Sequence, residues 1–184
     1  PQLGSGGITA STQKWQTSME KIAQEFPNVN LMVSAGDQVS GEGDNERAYD
    51  AYFTPEKLTS LTTATTIGNH DNHVAYSEHF YNPNTVIDGK SYGETAAGGN
   101  YWFVYNNVLF IQLNTNADTS DETIAEHRTF IEKAISYRTF DANDVLCIGE
   151  LGLSGEVRAV SRIEQRVREG ERLGFTKIAI PSRN

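Results

Sequence analysis

Ile67-Gly68-Asn69-His70-Asp71-Asn72 places an amide, an imidazole and a carboxylate in three consecutive positions. A Thr/Ala/Ile run that reads as a strand leads into it. Upstream, Leu31 to Ala35 is a second apolar run, and it ends in Gly36-Asp37. Parallel α/β sheets carry their chemistry in the loops at the C-terminal ends of strands. Two such loops could bring Asp37 and Asn69 to one cation, since hard cations take carboxylate and carbonyl oxygens and imidazole suits zinc, iron or manganese. Each residue alone has a plainer reading. Asp37 would be a turn or N-cap residue, Asn69 a turn residue and His70 a hydrogen-bonded core histidine. The case for chemistry is their combination.

The surrounding pattern supplies elements to hold these loops. Trp15, Met19, Ile22, Ala23 and Phe26 fall at helical spacing and predict a helix over Thr12–Glu25, stopped by Pro27-Asn28. Val29–Ala35 reads as a buried strand. A strand following a helix predicts a parallel sheet, whose first strand would precede Pro1. Glu46–Phe53 reads as a short helix, and Thr54-Pro55 as the cap and first position of another. Thr62–Ile67 is the strand that delivers the central motif, His73–Tyr81 a helix or irregular segment, and 89–99 a loop. Asn100–Tyr105 and Val108–Asn114 flank Asn106-Asn107, a hairpin signal. A helix opens at Thr119-Ser120-Asp121 with Ile124, His127, Phe130, Ile131, Ala134 and Ile135 as its apolar stripe.

The text changes after Ser136. Residues 1–136 hold 7 Lys+Arg against 17 Asp+Glu, and residues 137–184 hold 8 against 7. Seven of the eight later cations are Arg, whereas five of the seven earlier ones are Lys. A shift of this kind predicts a boundary. The later segment reads β-β-α-β: strands at Val145–Ile148 and Val157–Val160, a helix capped by Ser161 that carries Ile163, Val167 and Leu173 up to Gly174, and a strand at Lys177–Ile180.

Composition removes some functions. A net charge of −9 argues against nucleic-acid binding by the whole surface. With 38% hydrophobic residues and a mean hydropathy of −0.48, no apolar run approaches the ~20 residues of a membrane span. Cys147 is the lone cysteine, so an internal disulfide is excluded. No signal peptide is read at the start, where Pro1 rather than Met stands first, as in a processed or cut chain.

Gly36-Asp37 followed by Gly68-Asn69-His70-Asp71 resembles the paired motifs of the calcineurin-like metallophosphoesterases. Pro1 to Gly4, Ser34 to Val39, Tyr76 to Phe80 and Leu113 to Asn116 resemble the extracellular bacterial branch of that family. The resemblance covers about residues 1–135. It implies an α/β fold and hydrolysis of phosphate esters at a dinuclear centre of divalent transition metal ions (Zn, Mn or Fe). It also implies roles. Asp37 would bridge the metals and Asn69 would ligate one of them. His70 would contact the phosphate and protonate the leaving oxygen, and Asp71 would orient His70 or its loop. Pro1-Gln2 looks like the end of the branch's Asp-Pro-Gln motif, which makes Gln2 a ligand position without its Asp. The family's later His and Gly-His-x-His ligands have no match, because no His follows His127. His73, His79 and His127 match none of the motifs; His79 reads as core and His127 as structural. Partial metal occupancy and weak or absent activity are therefore expected.

Gly149 to Arg158, Glu164-Gln165-Arg166 and Leu173 to Pro181 resemble the Lon-protease-like C-terminal domain of RadA-type DNA-repair ATPases. That resemblance covers about residues 137–184. Glu164 stands where the Lon-type Lys would align, and no Gly-x-x-x-x-Gly-Lys-[Ser/Thr] run exists. Arg162, Arg166, Arg168 and Arg172 alternate with Glu164, Glu169 and Glu171, which reads as a solvated helix face rather than a nucleic-acid surface.

The expected architecture is thus a partial phosphoesterase sheet with helices over 1–136, joined to a β-β-α-β Lon-like segment over 137–184. The rival reading is a non-catalytic hybrid or engineered scaffold with a tail derived from a RadA-like protein. The segment's apolar residues need a partner surface, in this chain or in a second copy as a homodimer. The two resemblances point to different compartments, one extracellular and one cytoplasmic.

Overall fold

Two short strands at the centre of the chain run side by side and parallel, and the loops leaving them define the rest. The computed structural model describes residues 1–41, 46–118, 120–137, 145–147, 150–151, 157–158, 163–172, 175 and 177–180. Pro1 to Gly7 precede helix α1 (Ile8–Glu25). Strand β1 (Leu31–Ser34) and strand β2 (Thr62–Thr65) pair in parallel, Leu31 opposite Thr62 and Ser34 opposite Thr65. Between them lie helix α2 (Glu46–Tyr52) and a 3-10 turn over Glu56–Ser60. Helix α3 (Val74–His79) follows the central motif. Strands β3 (Val86–Ile87) and β4 (Lys90–Ser91) form a small hairpin, and β5 (Tyr101–Tyr105) and β6 (Val108–Gln112) a longer one. Helix α4 spans Asp121–Ser136. The tail holds β7 (Val145–Cys147), β8 (Glu150–Leu151), β9 (Val157–Arg158), helix α5 (Ile163–Arg172) and β10 (Lys177–Ala179). The chain is an α/β protein.

Two apolar centres hold these elements. The first is built from Tyr49 and Tyr52 of α2, Tyr76 of α3, Phe80, Ile67, Leu3 and Val39. Trp15 of α1 stacks on Tyr52 with ring centroids 5.6 Å apart and donates its indole N–H to the Tyr52 carbonyl at 2.9 Å. The aromatic ring therefore fixes α1 by packing and by a satisfied polar tip. The second centre joins Ile87, Tyr92, Phe130 and Ala134, with Trp102, Ile111 and Leu113 packed on it. It attaches α4 to the two hairpins.

Most expected elements form, with informative differences. Helix α1 begins four residues before Thr12. The Ser11 hydroxyl receives a bond from the Gly4 N–H at 2.9 Å and donates to the Gly7 carbonyl at 2.9 Å, tying the Gly-rich loop to the first turn. Thr54 is not a cap. Its hydroxyl turns back to the Asp50 carbonyl at 3.0 Å, and Pro55 takes the cap position without a side-chain bond. The 89–99 stretch is not all loop. Asp88 and Gly89, at φ 52° and 75°, make the two-residue turn of the β3–β4 hairpin. Asn106 and Asn107, at φ 47° and 64°, turn the longer hairpin as expected. Ile124 leaves the expected apolar stripe of α4 and is exposed, whereas Phe130 and Ala134 are fully buried.

In the tail, β7 pairs with β10 in parallel and β8 with β9 antiparallel, so its described strands pair with one another. Cα atoms of β7 come within 8 Å of β6. Ile163 and Val167 are half-buried and Phe175 is buried, while Ile180 is exposed. The expected cap Ser161, the closing Leu173-Gly174, Arg162 and most of 148–160 lie outside the described residues.

The start of α4 yields a pH prediction. The Asp118 carboxylate accepts from the Ser120 N–H at 2.9 Å, the Ser120 hydroxyl at 2.5 Å and the Thr123 hydroxyl at 2.7 Å. These bonds favour the charged form and hold its pKa down to about 2. A lowered carboxylate pKa gives stability that is present above the ordinary value of 3.8 and is lost as pH falls through about 2. A carbon-detected NMR titration should place the Asp118 midpoint near 2, and Ser120→Ala should move it upward.

Candidate metal centre and its supporting loops

The β1–β2 register carries beyond the strands. Ser34 stands opposite Thr65, and continuing by three residues puts Asp37 opposite Gly68. The two backbones touch there. A Cβ built on Gly68 would lie 2.2 Å from both the Asp37 nitrogen and Asp37 Oδ1. One built on Gly36, at φ 104°, would lie 2.8 Å from the Gly68 Cα. Glycine at 36 and 68 is thus a requirement of close approach and, at 36, of backbone conformation.

Asp71 locks the two loops together. Its carboxylate accepts from the N–H groups of Gln38 (3.1 Å), Val39 (3.0 Å) and Gly68 (3.2 Å). It is fully buried. Burial raises its pKa, aided by the nearby charge of Asp37, and the three N–H bonds oppose the rise. Asp71 therefore ties the two loop backbones to each other. No bond to the His70 ring is involved.

Asp37 sits just outside this clamp. It is half-buried, adopts φ 53°, and accepts from the His70 N–H through Oδ1 at 3.3 Å. The segment before α1 lies alongside. Gln2 donates its N–H to the Asp37 carbonyl at 2.8 Å, Leu3 to the Gln38 carbonyl at 3.0 Å, and Ser40 to the Leu3 carbonyl at 2.6 Å. Gln2 is itself at φ 51°. Two non-glycine residues held in the left-handed region side by side show a backbone fixed by its surroundings. The structure thus gathers Gln2, Asp37, Asn69, His70 and Asp71 within two loops and one flanking segment. Asn69 is exposed and His70 half-buried. Among the described residues, the side chains of Gln2 and Asn69 and the ring of His70 hold no hydrogen bond.

The other histidines lie in different roles. His79 stacks on Tyr49 with centroids 4.1 Å apart and meets Glu46 at 3.2 Å; half-buried, it lies at the edge of the core rather than inside it as expected. His73 caps α3, accepting from the Ala75 N–H at 3.4 Å.

Supporting residues that the sequence reading did not single out are amides and phenols. Gln38 is fully buried and donates Nε2 to Ser34 Oγ (2.8 Å) and the Thr66 carbonyl (3.3 Å). Asn116 donates to the Ile67 carbonyl at 2.8 Å, directly ahead of the central motif. Tyr76 and Tyr101 both donate to the Thr65 carbonyl, at 2.9 and 2.7 Å. Gln38-Val39 and Asn114-Thr115-Asn116 did stand in stretches that carried the family resemblance. Polar residues at strand ends were the available signal.

A model of the calcineurin-like phosphoesterase family matches residues 8–151, well over half of the chain. The chain belongs to that family. It is also similar to proteins described as "DNA repair protein RadA": 49% identical over 65 residues to that of Bacillus subtilis (strain 168), and 48% over 65 residues to that of Listeria monocytogenes. The Streptococcus pneumoniae protein is 47% identical over 62 residues. These matches cover about a third of this chain and only 14 to 15% of the relatives' length. No solved structure matches the chain.

The family uses divalent metal ions, so the donor set can be tested for fit. Asp37 supplies one carboxylate, His70 one imidazole, and Gln2 and Asn69 two neutral amides, while Asp71 is consumed by backbone N–H groups. Among the described residues no three His, Cys, Asp or Glu side chains are grouped to hold a metal. Amide oxygens are weak ligands beside carboxylates and imidazoles. The residues present do not fit a complete dinuclear centre.

Two substitutions probe the loop contact. Gly68→Ala drives a methyl into the Asp37 backbone and should cost about 3 kcal/mol, lowering Tm by roughly 6–12 °C for a chain of this size. Asp71→Ala strands three N–H groups and should cost at least as much, at about 1–3 kcal/mol per buried orphan. Thermal unfolding measures both. A Gly68→Ala protein with wild-type Tm would contradict the close approach.

Proposed function

We propose that the chain carries part of a metal-dependent phosphoric ester hydrolase site, formed by Asp37, Asn69, His70 and Gln2, with at most weak hydrolysis of its own. The observation that supports it most is the juxtaposition of Asp37 and Gly68 across the parallel pair. It sets the carboxylate against the backbone of the Asn69-His70 loop, where Asp71 takes three loop amides and Asp37 only the His70 N–H, through Oδ1. Asp37 and Asn69 thereby keep oxygen lone pairs for a zinc, manganese or iron ion, with Gln2 as a further oxygen. Such ions supply Lewis acidity and an activated water in phosphoesterases. On the chain's side, the unpartnered His70 ring suits contact with a phosphate ester and protonation of its leaving oxygen. Asp71 positions that loop. The substrate class is phosphate esters and goes no finer.

The second reading is a non-catalytic hybrid, natural or engineered. Its support is the RadA similarity over a third of the chain, together with tail strands that pair among themselves. In this reading the junction lies near Ser136 and separates 1–136 from 137–184, although the family match runs on to 151. A 48-residue piece falls near the size at which a lone core becomes too small to hold. The approach of β7 to β6 offers the tail a covering surface in the same chain; a second copy would offer another. Among the described residues no helix is long and apolar enough to cross a membrane.

Metal content separates the readings. Elemental analysis after dialysis against zinc or manganese should give well under one ion per chain, removed by Asp37→Ala. Two firmly held ions per chain would contradict a partial site, and none at any concentration favours the non-catalytic hybrid. Hydrolysis of bis-p-nitrophenyl phosphate should be very slow, and His70→Ala should reduce any measurable rate ~100-fold. A robust rate that survives His70→Ala removes the residue from the acid role.

A further inference from the structure

A histidine outside the proposed chemistry is wired to the backbone of the central motif. Asn114, buried just after β6, sets its Nδ2 within 3.1 Å of the Gly93 and Gly98 carbonyls and the Thr95 hydroxyl. Its Oδ1 accepts from the Asn116 N–H and Nδ2, both at 3.1 Å, and Asn116 Nδ2 reaches the Ile67 carbonyl. In the other direction the Asn114 N–H donates to Asn100 Oδ1 at 2.8 Å, and Asn100 Nδ2 lies 2.9 Å from His127 Nδ1 on α4. One line of bonds thus runs from His127 through Asn100, Asn114 and Asn116 to Ile67.

The protonation state of His127 in this arrangement follows from donor counting. A backbone N–H can only donate, so the Asn100 oxygen must face Asn114 and its NH2 must face His127. An NH2 group has no acceptor to offer, so Nδ1 must accept. The ring is therefore neutral, with its proton on Nε2. A protonated ring carries N–H at both nitrogens and sets two donors against each other. Turning the Asn100 amide over relieves that conflict but presents NH2 to the Asn114 N–H, so the conflict moves along the line instead of ending. The ring and the Asn100 amide lie close over Gly93, where an added Cβ would come within 2.7 Å of both His127 Cε1 and Asn100 Oδ1. The charge that acts on it is Glu126 on its own helix, ion-paired at 2.8 Å to Lys90 of the β3–β4 hairpin. Tyr92 is the other titratable neighbour on that hairpin segment, packed on Phe130.

We propose that His127 is a pH-sensitive latch: neutral, it closes the amide line that holds the Ile67 carbonyl, and protonated, it releases that line and loosens the loop bearing Asn69 and His70. The loop is therefore ordered while the ring is neutral and loosened once acid protonates it. The latch concerns backbone order and stands whether or not the loop binds metal.

The test is NMR on the full chain at pH 7.5 and 5.5. Long-range proton–nitrogen spectra should show the His127 ring neutral at pH 7.5 with its proton on Nε2; a proton on Nδ1 overturns the proposal. Amide exchange of Asn114, corrected for its intrinsic pH dependence, should quicken about tenfold or more at pH 5.5, and the Asn116 side-chain NH2 resonances should shift with the midpoint of the His127 ring. In His127→Gln, whose oxygen accepts from Asn100 without titrating, both responses should vanish. The same responses in His127→Gln would place their origin in His70 or Asp71 and refute the latch. If that variant does not fold, the wild-type midpoints decide: an Asn116 shift that follows His70 instead of His127 overturns the proposal.

Discussion

The buried carboxylate of Asp71 is the interaction on which the rest of the site depends. Two loops leave adjacent parallel strands with N–H groups that no ladder partner can take. Orphan donors of this kind cost stability unless something buried accepts them. Asp71 accepts three, two from the loop after β1 and one from the loop after β2. The charge is costly to bury, and its raised pKa records the cost, but the same bonds weld the loops into one surface. Asp37 is thereby held half-buried against Gly68, with a left-handed backbone and Oδ1 on the His70 N–H. The contact also explains both glycines, since the clamp draws the strands' continuations to a distance at which no side chain fits between them.

Around that clamp, neutral polar groups do the positioning. Gln38, Asn100, Asn114 and Asn116 are amides, each able to donate and accept at once: Gln38 braces Ser34 and Thr66, and the three Asn thread from α4 to Ile67, all without adding charge near Asp37 and Asp71. Two phenols converge on the Thr65 carbonyl at the end of β2, on a strand whose only ladder partner among the described residues is β1. Exposed carbonyls of an edge strand invite pairing with another chain, and occupying them with hydroxyl groups blunts that tendency. The hairpin of β5 and β6 thus serves the site from a distance: it supplies Tyr101 directly and delivers the Asn114–Asn116 turn.

Periodic and motif-like features were legible in the sequence; geometry between distant segments was not. The Leu31–Ser34 and Thr62–Thr65 strands, the Asn106-Asn107 turn and helix α4 each announce themselves by local pattern, and the Gly-Asp and Gly-Asn-His-Asp motifs pointed to Asp37, Asn69, His70 and Asp71. Asp88-Gly89 was equally local and was missed because strands of two residues carry almost no pattern. Thr54 shows the limit of cap rules: Thr before Pro is a good helix start, yet its hydroxyl found a better acceptor one turn back. The triple role of Asp71, the Gln38 brace and the His127 line each depend on bonds between residues 14 to 49 positions apart. No window of sequence displays such bonds, because they exist only once the sheet has set the register.

The tail is held to a different standard by its own physics. Helix α5 exposes Glu164, Arg166, Arg168, Glu171 and Arg172, so only the side bearing Ile163 and Val167 is available for packing, and those two residues are only half-buried. Phe175 just after the helix is buried. A segment of nearly fifty residues is near the size at which a lone core becomes too small to offset its conformational entropy, which runs to tens of kcal/mol. The tail must therefore borrow stability from contact with the front of the chain or with another molecule. The approach of β7 to β6 is the place where the front can lend it, because β6 ends in the Asn114–Asn116 turn that supports the central motif. A tail seated there bears on the same hairpin that positions the site, so the order of the two regions is coupled through β6 even though neither supplies a ligand to the other.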